Sequence, residues 1–219
     1  MNVRRCLAAL MAGAVLFVAC EDEEVVGGCD PGCPPAGKKF QPLTTRENVL
    51  NNLELSYTQQ KHSPYDELLD PNFTFFFSPG DVGGNIPAQW GRVEELQMAT
   101  LLFDRTLNQP PYPTCRSIRM NLEFESGVVW VDTIPAAFPA ETWYTTTAYY
   151  DFTVEMDPDI TYIAVPGSQA QLTVRNAGTD DAPQWRLVKW RDLASNSVAS
   201  QRSASTETLT WGAVKALYR

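Results

Sequence analysis

Trp143-Tyr-Thr-Thr-Thr-Ala-Tyr-Tyr-Asp-Phe-Thr-Val-Glu-Met156 is the stretch that decides the fold. Tyr144, Ala148, Tyr150, Phe152, Val154 and Met156 fall on one side of a two-residue period. Thr145, Thr147, Asp151, Thr153 and Glu155 fall on the other, which is the pattern of a long, half-buried β-strand. Downstream, Asp157-Pro-Asp159 turns the chain into a strand over Ile160 to Val165. Gln169 to Arg175 follows after Pro166-Gly167, and Trp185 to Trp190 is a last strong strand. Upstream, Ile118, Met120, Leu122 and Phe124 alternate with Arg119, Asn121, Glu123 and Glu125. Ser126-Gly127 then kinks the chain before Val128 to Val131.

Ahead of Pro113 the period belongs to helices. Thr44 and Glu47 have the spacing of a capping box, and Val49, Leu50, Leu53 and Tyr57 recur at three- and four-residue steps. Pro64 opens a second, short helix through Tyr65, Leu68 and Leu69, closed by Asp70-Pro71. Phe73 to Phe77 is an aromatic strand. A third helix is expected over Trp90 to Phe103, with Val93, Leu96, Met98, Leu102 and Phe103 on one side. Trp211 to Tyr218 reads as a short closing helix or strand. Helices followed by a run of antiparallel strands imply an α+β fold with helices covering one face of a bent sheet.

The chain has 219 residues and a formal charge of -9. Its length supports one domain of ordinary size, or one domain with an appendage, and 44% hydrophobic against 20% charged residues excludes wholesale disorder. No clustered Lys/Arg footprint for nucleic acid is present. One histidine, His62, leaves multi-histidine metal sites and a serine–histidine triad without support, and no glycine-rich phosphate loop occurs. No metal and no cofactor is expected. His62, between Lys61 and Ser63, is read as a solvated loop residue.

The first residues carry an address. Arg4 and Arg5 precede an apolar run from Leu7 to Val18, which is too short to span a membrane and fits an export signal. It ends in Leu16-Phe-Val-Ala-Cys20, which resembles the lipobox of bacterial lipoproteins, with Phe17 where leucine is usual. That resemblance implies cleavage before Cys20, a lipid on its sulfur and an acylated new amine. The expected domains are a lipoprotein signal peptide over 1–19, an acidic and Pro/Gly-rich tether over 20–43 and a folded domain over 44–219. Cleavage removes two arginines and no acid, taking the charge to -11, so the lipid rather than the protein surface must hold the membrane. The expected location is a bacterial membrane, the outer membrane or cell surface in a Gram-negative cell. Glu21 to Glu24 also resembles surface-export signals, against the plainer reading of a solvated linker.

Cys29, Cys33 and Cys115 remain as disulfide candidates in an oxidising compartment. A Cys29–Cys33 bridge and a staple from the linker to Cys115 are both open, and either leaves one thiol free.

Two further segments carry a resemblance of fold. Glu47-Asn-Val-Leu-Asn-Asn-Leu-Glu-Leu-Ser-Tyr57 and Tyr65-Asp-Glu-Leu-Leu-Asp-Pro-Asn-Phe-Thr-Phe75 resemble the opening helix, short second helix and aromatic strand of nuclear transport factor 2-like domains. Trp185-Arg-Leu-Val-Lys-Trp-Arg-Asp192 is similar to that family's last strand. The resemblance implies a cone-shaped, curved antiparallel sheet with N-terminal helices on one face, and often pairing of two copies through their sheets. Enzymes of the family, including ketosteroid isomerases, polyketide cyclases and scytalone dehydratases, use a base inside the cone with a Tyr or Asp near the developing oxyanion.

Asp151, among Tyr149, Tyr150 and Phe152, is the catalytic candidate, although alternation turns it toward the threonine side. Tyr57, Phe75, Phe77, Trp130, Tyr150 and Trp185 are candidates to line a pocket for an apolar small molecule, the alternative being plain core packing. The leading expectation is a lipid-anchored, non-catalytic binding or interaction module of the cell envelope, with homodimerisation open. The rival is a cone-pocket isomerase, cyclase or dehydratase. A carboxylate within hydrogen-bond reach of a tyrosine hydroxyl, inside a closed apolar cavity, is the mark of the rival.

Overall fold

A computed structural model describes residues 38–106, 112–158, 160–193 and 206–219. The export signal, Cys20, the acid run, Cys29 and Cys33 lie outside the described residues. Three helices, α1 (Arg46–Thr58), α2 (His62–Leu68) and α3 (Arg92–Phe103), pack on one face of a nine-stranded sheet. Its strands are β1 (Leu69–Phe76), β2 (Gln89–Gly91), β3 (Cys115–Glu123), β4 (Val131–Thr133), β5 (Trp143–Met156), β6 (Ile160–Ala164), β7 (Gln169–Asn176), β8 (Trp185–Asp192) and β9 (Thr206–Leu209). A short helix, α4 (Trp211–Ala216), follows β9. The α+β architecture is the one expected.

The strand order is β2-β1-β8-β7-β5-β6-β9, with β3 and β4 on the other edge of β5. β5 changes partners along its length. Its residues 143–149 pair with β7, whereas its end from Thr153 to Met156 pairs with β6. On the opposite edge β4 gives way to β3. This exchange bends the sheet into an open trough whose inner face is buried by the helices. Most pairings are antiparallel, but β1 runs parallel to β8 and β6 parallel to β9.

Several boundaries differ from the sequence reading for local reasons. The cap of α1 is Thr45, whose hydroxyl accepts from the Asn48 amide at 3.2 Å, rather than Thr44. α2 begins at His62, two residues before Pro64, so His62 is a half-buried helix residue and not a loop residue. Asp70 and Pro71 belong to β1, and Trp90 to β2. In α3 the inward stripe is Glu95, Met98, Ala99, Leu102 and Phe103, while Val93 is 66% exposed. Residues 38–43, within the stretch read as tether, lie along α1. There Lys38 pairs with Glu54 at 2.7 Å, and Gln41 exchanges backbone bonds with the Asn52 amide.

Candidate functional site

β5, β7 and β8 build both faces of the trough, and every second residue goes to each. The inner face carries Ala148, Tyr150, Phe152, Leu172, Val174 and Trp190, all buried. Against them stand Tyr57 from α1, Tyr65 from α2, Phe75 from β1 and Phe103 from α3. α4 closes this space. Trp211 lies 4.9 Å from Tyr57, 5.0 Å from Phe152 and 6.5 Å from Trp190, measured between ring centres. Gly212 sits where a side chain would meet Phe77 and Asp81, and its N–H donates to Asp192 at 3.0 Å. The cap of α4 is Thr210, which accepts from the Ala213 amide and donates to Asp81.

At the centre is a charge pair with no exposure to solvent, Glu95 on α3 and Lys215 on α4. Lys215 Nζ is 2.6 Å from Glu95 Oε1. The same oxygen accepts from the Tyr57 hydroxyl at 3.2 Å and from the Tyr65 hydroxyl, and Oε2 accepts from the Trp90 indole at 2.7 Å. The Tyr57 and Tyr65 hydroxyls stand 2.8 Å apart, and with one proton each, Tyr57 shares its proton between the Tyr65 oxygen and Glu95 Oε1. Above the ammonium lie the rings of Phe75 at 3.8 Å and Trp190 at 4.3 Å, favourable cation–π positions. Burial lowers Lys215 to about 8, against the upward pull of the Glu95 charge. Burial, with the Glu95 charge beside them, pushes the Tyr57 and Tyr65 hydroxyls well above the usual tyrosine range. A second buried set joins the Tyr150 hydroxyl to Asp192 Oδ1 at 2.9 Å.

The outer face is open. A concavity of about 610 Å³ is lined by Trp143, Thr145, Thr147, Gln171, Thr173, Lys189 and Arg191, with Phe76 and the loop through Val129 at its rim. Lys189 lies 5.0 Å over the Trp143 ring and Arg191 4.9 Å over Phe76. Thr145 and Thr173 share a hydroxyl hydrogen bond at 3.0 Å. Two cations on aromatic platforms, beside a row of hydroxyls, suit a polar or anionic ligand more than an apolar one.

The sequence candidates divide. Asp151 is exposed on the outer face, opposite Asn121 of β3, and reaches neither buried set. Tyr57, Phe75, Phe77 and Tyr150 are brought together inside, as core. Trp130 and Trp185 are not. With Tyr144 they surround the Arg46 guanidinium at the start of α1, 5.4, 5.5 and 4.3 Å away. Among the described residues Cys115 is a buried thiol without a disulfide partner, pushed up to about 12 chiefly by burial. Among the described residues no cluster of three metal-ligating side chains occurs.

Sequence reading missed Glu95, Lys215, Asp192 and Trp211. For Glu95 a signal exists: it stands three, four and seven residues before Met98, Ala99 and Leu102, a charge inside an apolar stripe.

No family model matches the chain, and no curated protein matches it. Among solved structures it is similar to a conserved protein from Planctomyces limnophilus, at 13% identity, covering 66% of this chain and 89% of that one with a TM-score of 0.46. It is also similar to a nuclear transport factor 2-like protein of unknown function in nutrient uptake from Rhodospirillum rubrum. Identity there is 8%, coverage 67% and 95%, and the TM-score 0.42. A third is ActVI-ORFA from Streptomyces coelicolor, at 9% identity, 67% and 91% coverage and a TM-score of 0.38. The α+β architecture itself rests on the strand pairings and helix packing described above.

Proposed function

We propose that the chain is a lipid-anchored, non-catalytic binding module of the bacterial cell envelope that takes its ligand on the open outer face of the sheet. The observation that carries this reading is the contrast between the two faces. The interior is filled by Trp211 and Lys215, and its carboxylates are committed to internal donors. The concavity beside Trp143, Lys189 and Arg191 is lined but unfilled by the chain's own side chains. Anchoring through Cys20 is supported by the lipobox resemblance, and the acidic surface gives anionic lipid no purchase.

The enzymatic alternative has one observation in its favour: tyrosine hydroxyls do reach a buried carboxylate. It must then run through Glu95 with Tyr57 and Tyr65, or through Tyr150 with Asp192, whose other oxygen accepts from the Gly212 amide, and not through Asp151. Against it, an ammonium already occupies the place beside Glu95 Oε1 that a reacting atom would need.

Ligand-retaining purification followed by mass spectrometry tests the binding reading. A molecule bound to the wild-type chain should be lost from the double variant Lys189→Glu/Arg191→Glu, which stays folded. Equal retention by both sinks the outer-face assignment. Turnover of an enolisable ketone by the wild type, abolished by Tyr65→Phe, would transfer the function to the interior. For the anchor, Cys20→Ala should move the protein from the membrane to the soluble fraction, and continued membrane retention would refute lipidation.

A further inference from the structure

The parts of the buried charge network separate cleanly by origin. The carboxylate of Glu95 is oriented by Tyr57, Tyr65 and Trp90, which belong to α1, α2 and β2. The aromatic faces nearest the ammonium, Phe75 and Trp190, belong to β1 and β8. None of these residues is on α4. The donors to the carboxylate and the two nearest rings therefore come from outside α4, which adds the Trp211 ring against Tyr57 and Trp190 and an alkyl chain ending in an ammonium. In form this is a receptor and its ligand on one polypeptide.

The energetics agree with a replaceable occupant. Carrying an ammonium out of water costs several kcal/mol, and a buried ion pair repays that only in part. The Glu95–Lys215 pair is thus a weak reason for α4 to dock, since burial of Trp211 and Val214 holds the helix, while the matching of the site to an ammonium is close. The fit is also selective. A nitrogen 2.6 Å from a carboxylate oxygen must carry a proton, so a fully methylated ammonium cannot take this position.

We propose that the cage of Glu95, Tyr57, Tyr65, Trp90, Phe75 and Trp190 is a binding site for a primary alkylammonium group, and that Lys215 on α4 is its built-in competitor. When α4 leaves, the site accepts the same chemistry from elsewhere, either a free alkylamine or a lysine side chain of another polypeptide. This goes beyond the outer-face reading and does not depend on it, because the two sites lie on opposite faces and share no residue.

Hydrogen exchange on the full wild-type chain tests the proposal at a pH below 8, where Lys215 and the probe are both protonated. A ligand that binds only the opened state raises the opened population in proportion to its concentration over its Kd. n-Butylammonium should accelerate exchange of the α4 amides from Val214 to Leu217 several-fold, and n-butanol, tetramethylammonium and sodium should not. No acceleration, or equal acceleration by any control, overturns the proposal. Nα-acetyl-lysine methylamide run in parallel distinguishes the sources: a larger response than to n-butylammonium marks a polypeptide side chain, a smaller one a free amine. As a second measurement, Lys215→Ala removes the chain from Cγ to Nζ, the shape of n-propylammonium. That amine should raise the Tm of the variant by several degrees and leave the wild type unmoved, whereas n-propanol should do neither. Equal rescue by the alcohol also overturns the proposal. Should Lys215→Ala fail to fold, the wild-type exchange measurement decides alone.

Discussion

The two faces of β5, β7 and β8 are made from alternate residues of the same strands, yet they end in opposite states. Inside, Tyr150, Leu172 and Trp190 meet the helices and α4, and the carboxylates of Asp192 and Glu95 are taken up by internal donors. Outside, one residue earlier in each strand, Tyr149, Gln171 and Lys189 face solvent or half-cover a shallow concavity. Alternation alone assigns a side chain to a face. What the face does depends on whether another element covers it, and a threonine row stays available only because nothing among the described residues packs there.

This contrast can be broken most forcefully at Glu95. Glu95→Gln leaves the Lys215 ammonium buried without its counter-charge, and should cost about 3–5 kcal/mol, seen as a lowered urea midpoint at unchanged slope. The double variant Glu95→Gln/Lys215→Met should recover much of that loss. A single variant as stable as wild type would show that the charges are not the organising feature of the interior.

Gly212→Ala probes the closure of α4. A β-carbon there would come within 2.9 Å of the Phe77 ring and 3.1 Å of Asp81. Thermal denaturation should report a loss of about 1–3 kcal/mol from overpacking.

Next comes pH. Because Lys215 titrates near 8 when folded and at its ordinary value when unfolded, the unfolded chain binds more protons between those values. Stability should therefore be flat below pH 8 and rise above it, by at most about 1.4 kcal/mol per pH unit from this group. The groups facing it are Glu95 from α3, Asp192 from β8, Tyr57 from α1 and Tyr65 from α2. Near pH 10 the trend should reverse, since Tyr57, Tyr65, Tyr150 and Tyr218 ionise more readily unfolded than folded. Lys215→Met should abolish the rise and keep the reversal. A rise that survives this substitution belongs to some other group.

The smallest effect is expected outside. Lys189→Glu should change stability by no more than about 0.5 kcal/mol, as for most surface positions, while ligand retention is lost. A large destabilisation would mean that the Lys189–Trp143 contact is structural, and would blur the distinction between the faces.

What the sequence displays of this arrangement follows from period and length. β5, β3 and α1 are long enough for alternation or helical spacing to be counted, and they lie where that count puts them. β2 and β9 have three and four residues, too few for a period to register. The parallel pairing of β1 with β8 joins segments more than a hundred residues apart and leaves no mark in either. Glu95 and Lys215 are each unremarkable in their own helices. A lysine in Val-Lys-Ala reads as solvated, and only the folded chain sets it against a carboxylate. Asp151 was conspicuous for the opposite reason: its aromatic neighbours in sequence point to the other side of the sheet.

The distance along the chain between Glu95 and Lys215 is 120 residues, and this has a kinetic consequence. Closing a loop of that size loses conformational entropy before any contact offsets it, and chains dominated by such contacts fold slowly. The parallel pairing of β1 with β8, Leu69 to Leu187, closes a loop of nearly the same size. The trough is thus held shut by two independent long-range closures, one of backbone hydrogen bonds and one of charge.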